Sequence, residues 1–161
     1  MKNPECAARV LRATGELARA IGIHAPIKVL LVEDAPTYAL VFCTILSRVK
    51  GTLYEVETVA DALSAAAIIR EGMHDIYVID LQLGGVSGLD MVAALQRDGC
   101  HFPFIILTGM PDDASRAAMS LDCMVWLRKP DNTSPSDLDL QIRFAIKNWL
   151  TRACYSHERA A

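Results

Sequence analysis

Five side chains in this sequence could do chemistry together: the adjacent pair Glu33 and Asp34, then Asp80, Thr108 and Lys129. Each follows directly on a short apolar run, or sits one residue beyond it. Three carboxylates brought together repel, and each raises the others' pKa unless a cation neutralises them. Mg²⁺ suits such a set, because it takes oxygen ligands, keeps several waters and binds best to one or two carboxylates plus a phosphate; Mn²⁺ could substitute. On this reading Asp34 and Asp80 are direct ligands, and Glu33 acts directly or through a water. A main-chain carbonyl just after Asp80, such as that of Gln82, would complete the protein's share. Lys129 supplies a positive charge for Asp80 or for a phosphoryl oxygen, and Thr108 supplies a hydroxyl donor. The set suits phosphoryl transfer, which needs positioning and charge neutralisation, with a carboxylate as nucleophile giving an acyl phosphate.

These groups meet only if the chain folds as alternating strands and helices. Ile27–Val32 is an apolar run broken by Lys28, and residues 36–48 read as a helix with Pro36 in its first turn. Strands are expected at 54–59, 76–79, 102–107 and 124–127. Helices are expected at 62–70, 89–95, 112–121 and 135–154, the last opened by Ser134-Pro135-Ser136-Asp137 as an N-cap, a Pro at the first helical position and an acidic third residue. Apolar strands alternating with helices imply a parallel sheet covered on both faces, with ligands beyond the carboxyl ends of the strands. Residues 1–24 read as an extra amphipathic helix, with Ala7, Val10, Leu11, Leu17, Ala18 and Ile21 on one side. The domain expectation is an N-terminal helical extension at 1–24, a main domain at 27–152 and a polar tail at 153–161.

Composition narrows the class. With 161 residues and 52% hydrophobic content, the chain suits one domain with a real core. A net charge of −3 gives no general pull towards nucleic acid. Its apolar stretches stop short of membrane-spanning length, and the charged N-terminus does not read as a signal peptide. The five cysteines are scattered, with no C-x-x-C pair, as expected of a reducing cytoplasm. His24, His74, His101 and His157 share no metal spacing and read as surface residues. Ser87 has no arguable base. Gly84-Gly85-Val86-Ser87-Gly88 lacks the spacing and lysine of a nucleotide-binding loop.

The motifs V-L-L-V-E-D at 29–34, V-I-D-L-Q-L-G-G-V-S-G at 78–88, I-I-L-T-G at 105–109 and L-R-K-P at 127–130 occur in order. Over about residues 27–150 the chain resembles the receiver domain of two-component response regulators, in the CheY-like superfamily. The resemblance implies a flavodoxin-like, doubly wound α/β fold with a five-stranded parallel sheet in the order 2-1-3-4-5. It implies that Glu33 and Asp34 are the acidic metal pair, Asp80 the phosphoacceptor, Thr108 the switch hydroxyl and Lys129 the family's lysine. It also implies a cis peptide between Lys129 and Pro130. Trp126 aligns with the switch aromatic, usually Tyr or Phe. Gln82 and Met110 stand where the family tunes its rates. Gly88 matches the loop-closing glycine, whereas Gly84-Gly85 stands near a usual proline and is expected to loosen that loop.

The expected function is a phosphorylation-dependent signalling switch, not a turnover enzyme, although self-dephosphorylation is possible. Its partners would be a histidine kinase or histidine phosphotransfer protein and a downstream protein, with a homodimer through the terminal helices as a further possibility. So little sequence follows residue 150 that no DNA-binding output is expected, and the charge balance and short apolar stretches leave no expectation of nucleic-acid or membrane contact. Two other readings compete. A Mg²⁺-dependent phosphohydrolase would usually show an aspartate acid/base two residues after its nucleophile, where Gln82 stands. A receiver-like module that is never phosphorylated would not need all five groups.

Overall fold

In a computed structural model of the chain, the described residues are 25–109, 124–129 and 133–158. The elements run β1 (Ile27–Val32), α1 (Pro36–Ser47), β2 (Tyr54–Val59), α2 (Ala62–Glu71), β3 (Ile76–Asp80), β4 (Gln82–Leu83), β5 (Val86–Ser87), α3 (Gly88–Arg97), β6 (Phe104–Thr108), β7 (Met124–Arg128) and α4 (Pro135–Glu158). Five strands form one sheet in the order β2-β1-β3-β6-β7, with every pair parallel. Leaving out the small β4–β5 hairpin, this is the expected order 2-1-3-4-5. The expected helices at 1–24 and 112–121, Met110 and the Lys129–Pro130 bond lie outside the described residues.

The strand sequences explain the layering. β3 and β6 are buried at every position, as apolar runs covered on both faces require. Alternate residues feed two cores. Val29, Leu31, Val78, Ile105 and Leu107 join Phe42 and Leu46 of α1 and Leu138, Ile142 and Ile146 of α4. Leu30, Val32, Tyr77, Ile79, Phe104 and Ile106 join Ala65 and Ile69 of α2 and Val92 and Leu95 of α3. The sheet is thus doubly wound. Edge strand β2 carries exposed Glu55, Glu57 and Thr58, which mark its open side.

Local chemistry fixes the helix ends. Asp61 accepts a hydrogen bond from Ser64 N at 2.8 Å, and α2 stops at left-handed Gly72. Ser87 caps α3 through Asp90 N at 3.2 Å. Ser134 caps α4 through Asp137 N at 3.1 Å and donates to the Asp137 carboxylate at 2.7 Å, as its sequence predicts. That helix runs four residues past the expected end, to Glu158. α4 is fastened twice to the amino-terminal side of the sheet. Tyr54 Oη donates to Asp139 Oδ1 at 2.7 Å, with Arg143 bridging Asp139 and Thr52. Trp149 Nε1 donates to the carbonyl of His101, just ahead of β6, at 2.7 Å.

In the stretch after Asp80, Gly84 and Gly85 form a defined turn. Both take positive φ (54° and 91°) and close a two-residue antiparallel hairpin, pairing Gln82 with Ser87 and Leu83 with Val86. Two consecutive positive-φ residues make the tight hairpin turn whose twist matches its strands.

Candidate functional site

All five predicted groups come to one end of the sheet. Parallel pairing aligns the carboxyl ends of β1, β3, β6 and β7, and the five groups stand at those ends. Glu33, Asp80 and Thr108 are buried, whereas Asp34 is exposed at the mouth. A shallow cleft of about 590 Å³ opens over Asp80, with Asp34, Tyr38, Gln82 and Lys129 among its walls. Glu33, which is buried, does not line it.

Lys129 ties the cluster together. Its Nζ lies 2.9 Å from Asp80 Oδ2, 3.2 Å from Glu33 Oε1 and 2.9 Å from Glu33 Oε2. Its main-chain N–H donates to the Thr108 carbonyl at 2.8 Å, which docks the residue after β7 onto the end of β6. Burial works against the ammonium's charge, but the two carboxylates outweigh it and hold the Lys129 pKa above the ordinary lysine value. Glu33 shows the opposite balance. Burial pushes its carboxyl up, and the hydrogen bonds from Lys129 and from Ala35 N at 3.1 Å only partly offset this.

The other two carboxylates are held by the main chain. Asp80 Oδ1 accepts from Gln82 N at 3.3 Å. Asp34 Oδ2 accepts from Gly84 N at 2.8 Å, so the carboxylate after β1 is clipped to the hairpin turn. The cap position of α1 is Ala35, one residue on, which makes no side-chain cap. Gly88 closes the other end of the hairpin, where its N–H donates to the Leu81 carbonyl at 2.9 Å.

The donor set fits a small hard cation. Glu33, Asp34 and Asp80 each offer a carboxylate oxygen, all within 4.8 Å of one another. One ammonium against three carboxylates leaves the cluster short of positive charge. Glu33 Oε2 is buried and, although 2.9 Å from Lys129 Nζ, makes no hydrogen bond of acceptable direction. That oxygen, ion-paired but without a directed hydrogen bond, has room in its coordination for a further cation.

Sequence reasoning missed two contributors. Tyr38 of α1 lines the cleft and places its ring 4.3 Å from Lys129 Nζ. Nothing in its local sequence signals this, because its partner lies at the far end of the sheet in sequence. The Gly84 N–H was the other, and a Gly-Gly pair flanked by Leu83 and Val86 is a hairpin signature. Trp126, in β7, is half-buried against the core on the α2 and α3 face. His74, expected at the surface, is instead buried, with its Nε2 2.9 Å from Glu57 Oε2. Burial of Tyr77 and packing of the two rings 5.8 Å apart draw it in.

Residues 29–143 match the family model described as the response regulator receiver domain. The chain belongs to that family. Among curated relatives of this receiver domain, the transcriptional regulatory protein TcrA of Mycobacterium tuberculosis is 33% identical over 123 residues, covering 76% of this chain and 47% of that protein. The two-component response regulator PhoP of Pseudomonas aeruginosa is 41% identical over 81 residues, covering 50% of this chain and 35% of that protein. The chain thus spans less than half the length of either relative. The solved chemotaxis protein CheY4 of Vibrio cholerae superposes with a TM-score of 0.60 at 26% identity, covering 75% of this chain and 99% of that one. The receiver domain of a Luxo repressor protein from Vibrio parahaemolyticus gives a TM-score of 0.64 at 20% identity, covering 81% and 98%. Among the described residues, no helix is long and apolar enough to cross a membrane.

Proposed function

We propose that Asp80 accepts a phosphoryl group from a phosphohistidine on a partner histidine kinase or phosphotransfer protein, and that the receiver domain changes a protein-binding surface in response. The observation that carries this reading is the position of Asp80. It is a buried carboxylate at the floor of an open cleft, with an ammonium at 2.9 Å and two further carboxylates beside it.

One Asp80 oxygen attacks phosphorus, the phosphorus–nitrogen bond of the donor breaks, and the electron pair leaves with the imidazole nitrogen. The Gln82 N–H bond to Oδ1 and the Lys129 bond to Oδ2 fix the plane of the carboxylate. Lys129 then has a phosphoryl oxygen as a new partner at the same place. Mg²⁺ (or Mn²⁺), held by Asp34, Asp80, Glu33 directly or through water, and a carbonyl such as that of Gln82, would neutralise the charge of the phosphoryl oxygens. The acyl phosphate adds roughly 1.5 to 2 negative charges where the cluster already holds excess negative charge. Thr108, at the end of the neighbouring strand, is the hydroxyl that turns towards it. Trp126, half-buried two residues before the end of β7, follows into the space released. The affected surface is that of β7 and α4, where a downstream protein or a second copy of the chain would bind. Such a switch is a two-state element biased by local charge, and it works in the cytoplasm.

The test is incubation with acetyl phosphate and Mg²⁺, with intact-mass readout. A labile single adduct is expected on the native chain and none on Asp80→Asn. An adduct of equal yield on the variant would overturn the assignment.

A further inference from the structure

Tyr38 is a large aromatic at the surface, 39% exposed, in the first turn of α1. Its ring is not spare surface. The centroid lies 4.3 Å from Lys129 Nζ, within the range of an attraction between an ammonium and an aromatic face. Asp80 Oδ2 and Glu33 Oε2 each approach the same nitrogen to 2.9 Å, so the ring is its third neighbour, and only 13% of the lysine side chain meets solvent. The ring also forms part of the cleft wall.

We propose that Tyr38 is a positioning residue for phosphoryl transfer: its ring holds the Lys129 ammonium over Asp80 and screens that side of the cleft from water. This rests on Asp80 being the acceptor. Lysine is a point charge on a flexible four-carbon stem, so it needs company to stay in one place. A further carboxylate would hold it, but would add negative charge where a phosphoryl group must arrive. An aromatic face attracts the ammonium without adding net charge, and it leaves the N–H donors free to exchange a carboxylate oxygen for a phosphoryl oxygen. The same ring stands at the cleft wall beside that ammonium, and this is the side it would screen.

The experiment compares the native chain with Tyr38→Phe, Tyr38→Leu and Tyr38→Trp, using acetyl phosphate and Mg²⁺. It follows formation and decay of the adduct by intact mass, with thermal unfolding in parallel. Tyr38→Leu is expected to slow formation and to speed hydrolysis, each by about three- to tenfold, within the roughly two- to thirtyfold that such a contact spans. Tyr38→Phe keeps the face and should stay within about twofold of the native chain. Tyr38→Trp offers a stronger face and should decay no faster than the native chain, a result that loss of structure would not give. No adduct on the native chain overturns the reading of Asp80 itself. An adduct there, with Tyr38→Leu matching the native rates, overturns the role of Tyr38. Tyr38→Phe as impaired as Tyr38→Leu overturns the role of the ring in favour of the hydroxyl.

Discussion

The carbonyl oxygen of Asp80 occupies the place that a side chain on residue 88 would need: a Cβ built on Gly88 would stand 2.0 Å from it and 2.9 Å from Ile79 Cγ2. The first contact is with main chain, which cannot step aside as a flexible side chain could. The start of α3 is thereby pressed against the end of β3, and the hairpin between them is closed by the Gly88 N–H bond to Leu81. The geometry of Asp80 therefore depends on a missing methyl group eight residues away.

Gly88→Ala should accordingly damage both fold and site. Forcing an extra carbon into a packed contact costs about 1–3 kcal/mol, and here the strain falls on the backbone that carries Asp80. Urea unfolding should show a loss in that range, and adduct formation should fall by more than about tenfold, since small misplacements of reacting groups are costly. A variant of native stability and native phosphorylation rate would show that the contact relaxes freely.

Glu33→Gln should separate stability from metal binding. Burial raises the Glu33 pKa above its ordinary value. A group whose folded pKa is raised contributes stability that is fully present below its unfolded pKa, near 4.3, and is lost as pH rises through the folded value. Once ionised, Glu33 is thus a burden on the metal-free fold. The amide variant should unfold at a higher temperature than the native chain in chelator at pH 7, with the gain fading as pH falls towards 4. Its affinity for Mg²⁺, followed by Trp fluorescence, should be about tenfold weaker or worse. A gain in Mg²⁺ affinity would contradict the metal assignment of Glu33.

Tyr54→Phe should loosen α4. The Tyr54 hydroxyl is half-buried and donates to Asp139, and burial together with that carboxylate pushes its pKa far above the ordinary tyrosine value. Losing the bond should cost about 1–2 kcal/mol. The sign with pH follows from the raised value. The contribution is complete below about pH 10, the unfolded value, and shrinks above it, because the unfolded tyrosine ionises while the folded one does not. Denaturation at pH 8 and pH 11 should show the native chain losing its advantage over the variant. An advantage unchanged across that interval would mean that Tyr54 ionises normally in the fold.

The large elements were legible because their signals are local and repeated. Unbroken apolar runs such as Ile76–Ile79 and Phe104–Leu107 can only be buried strands when helices alternate with them, and the strand ends then bring Glu33, Asp34, Asp80, Thr108 and Lys129 together. What escaped were relations between distant residues. The ring of Tyr38 reaches Lys129 across 91 positions, and the N–H of Gly84 meets Asp34 across 50. Neither partner announces the other by type or spacing. The burial of His74 is of the same kind, since it is set by Tyr77 of β3 and by Glu57 of β2. The Gly84-Gly85 pair signals backbone freedom by type alone, and only the fold shows that two positive-φ residues in succession make one tight turn here.

The two fastenings of α4 carry a consequence for how this domain could be altered. Tyr54 begins β2 and His101 precedes β6, so both lie at the amino-terminal ends of parallel strands, whereas the acidic cluster lies at the carboxyl ends. A five-residue strand separates the two by roughly 17 Å. Anchorage and reactivity thus occupy opposite poles of the sheet. Selection could retune the acidic pole without unmooring the last helix, and could strengthen its mooring without touching the carboxylates.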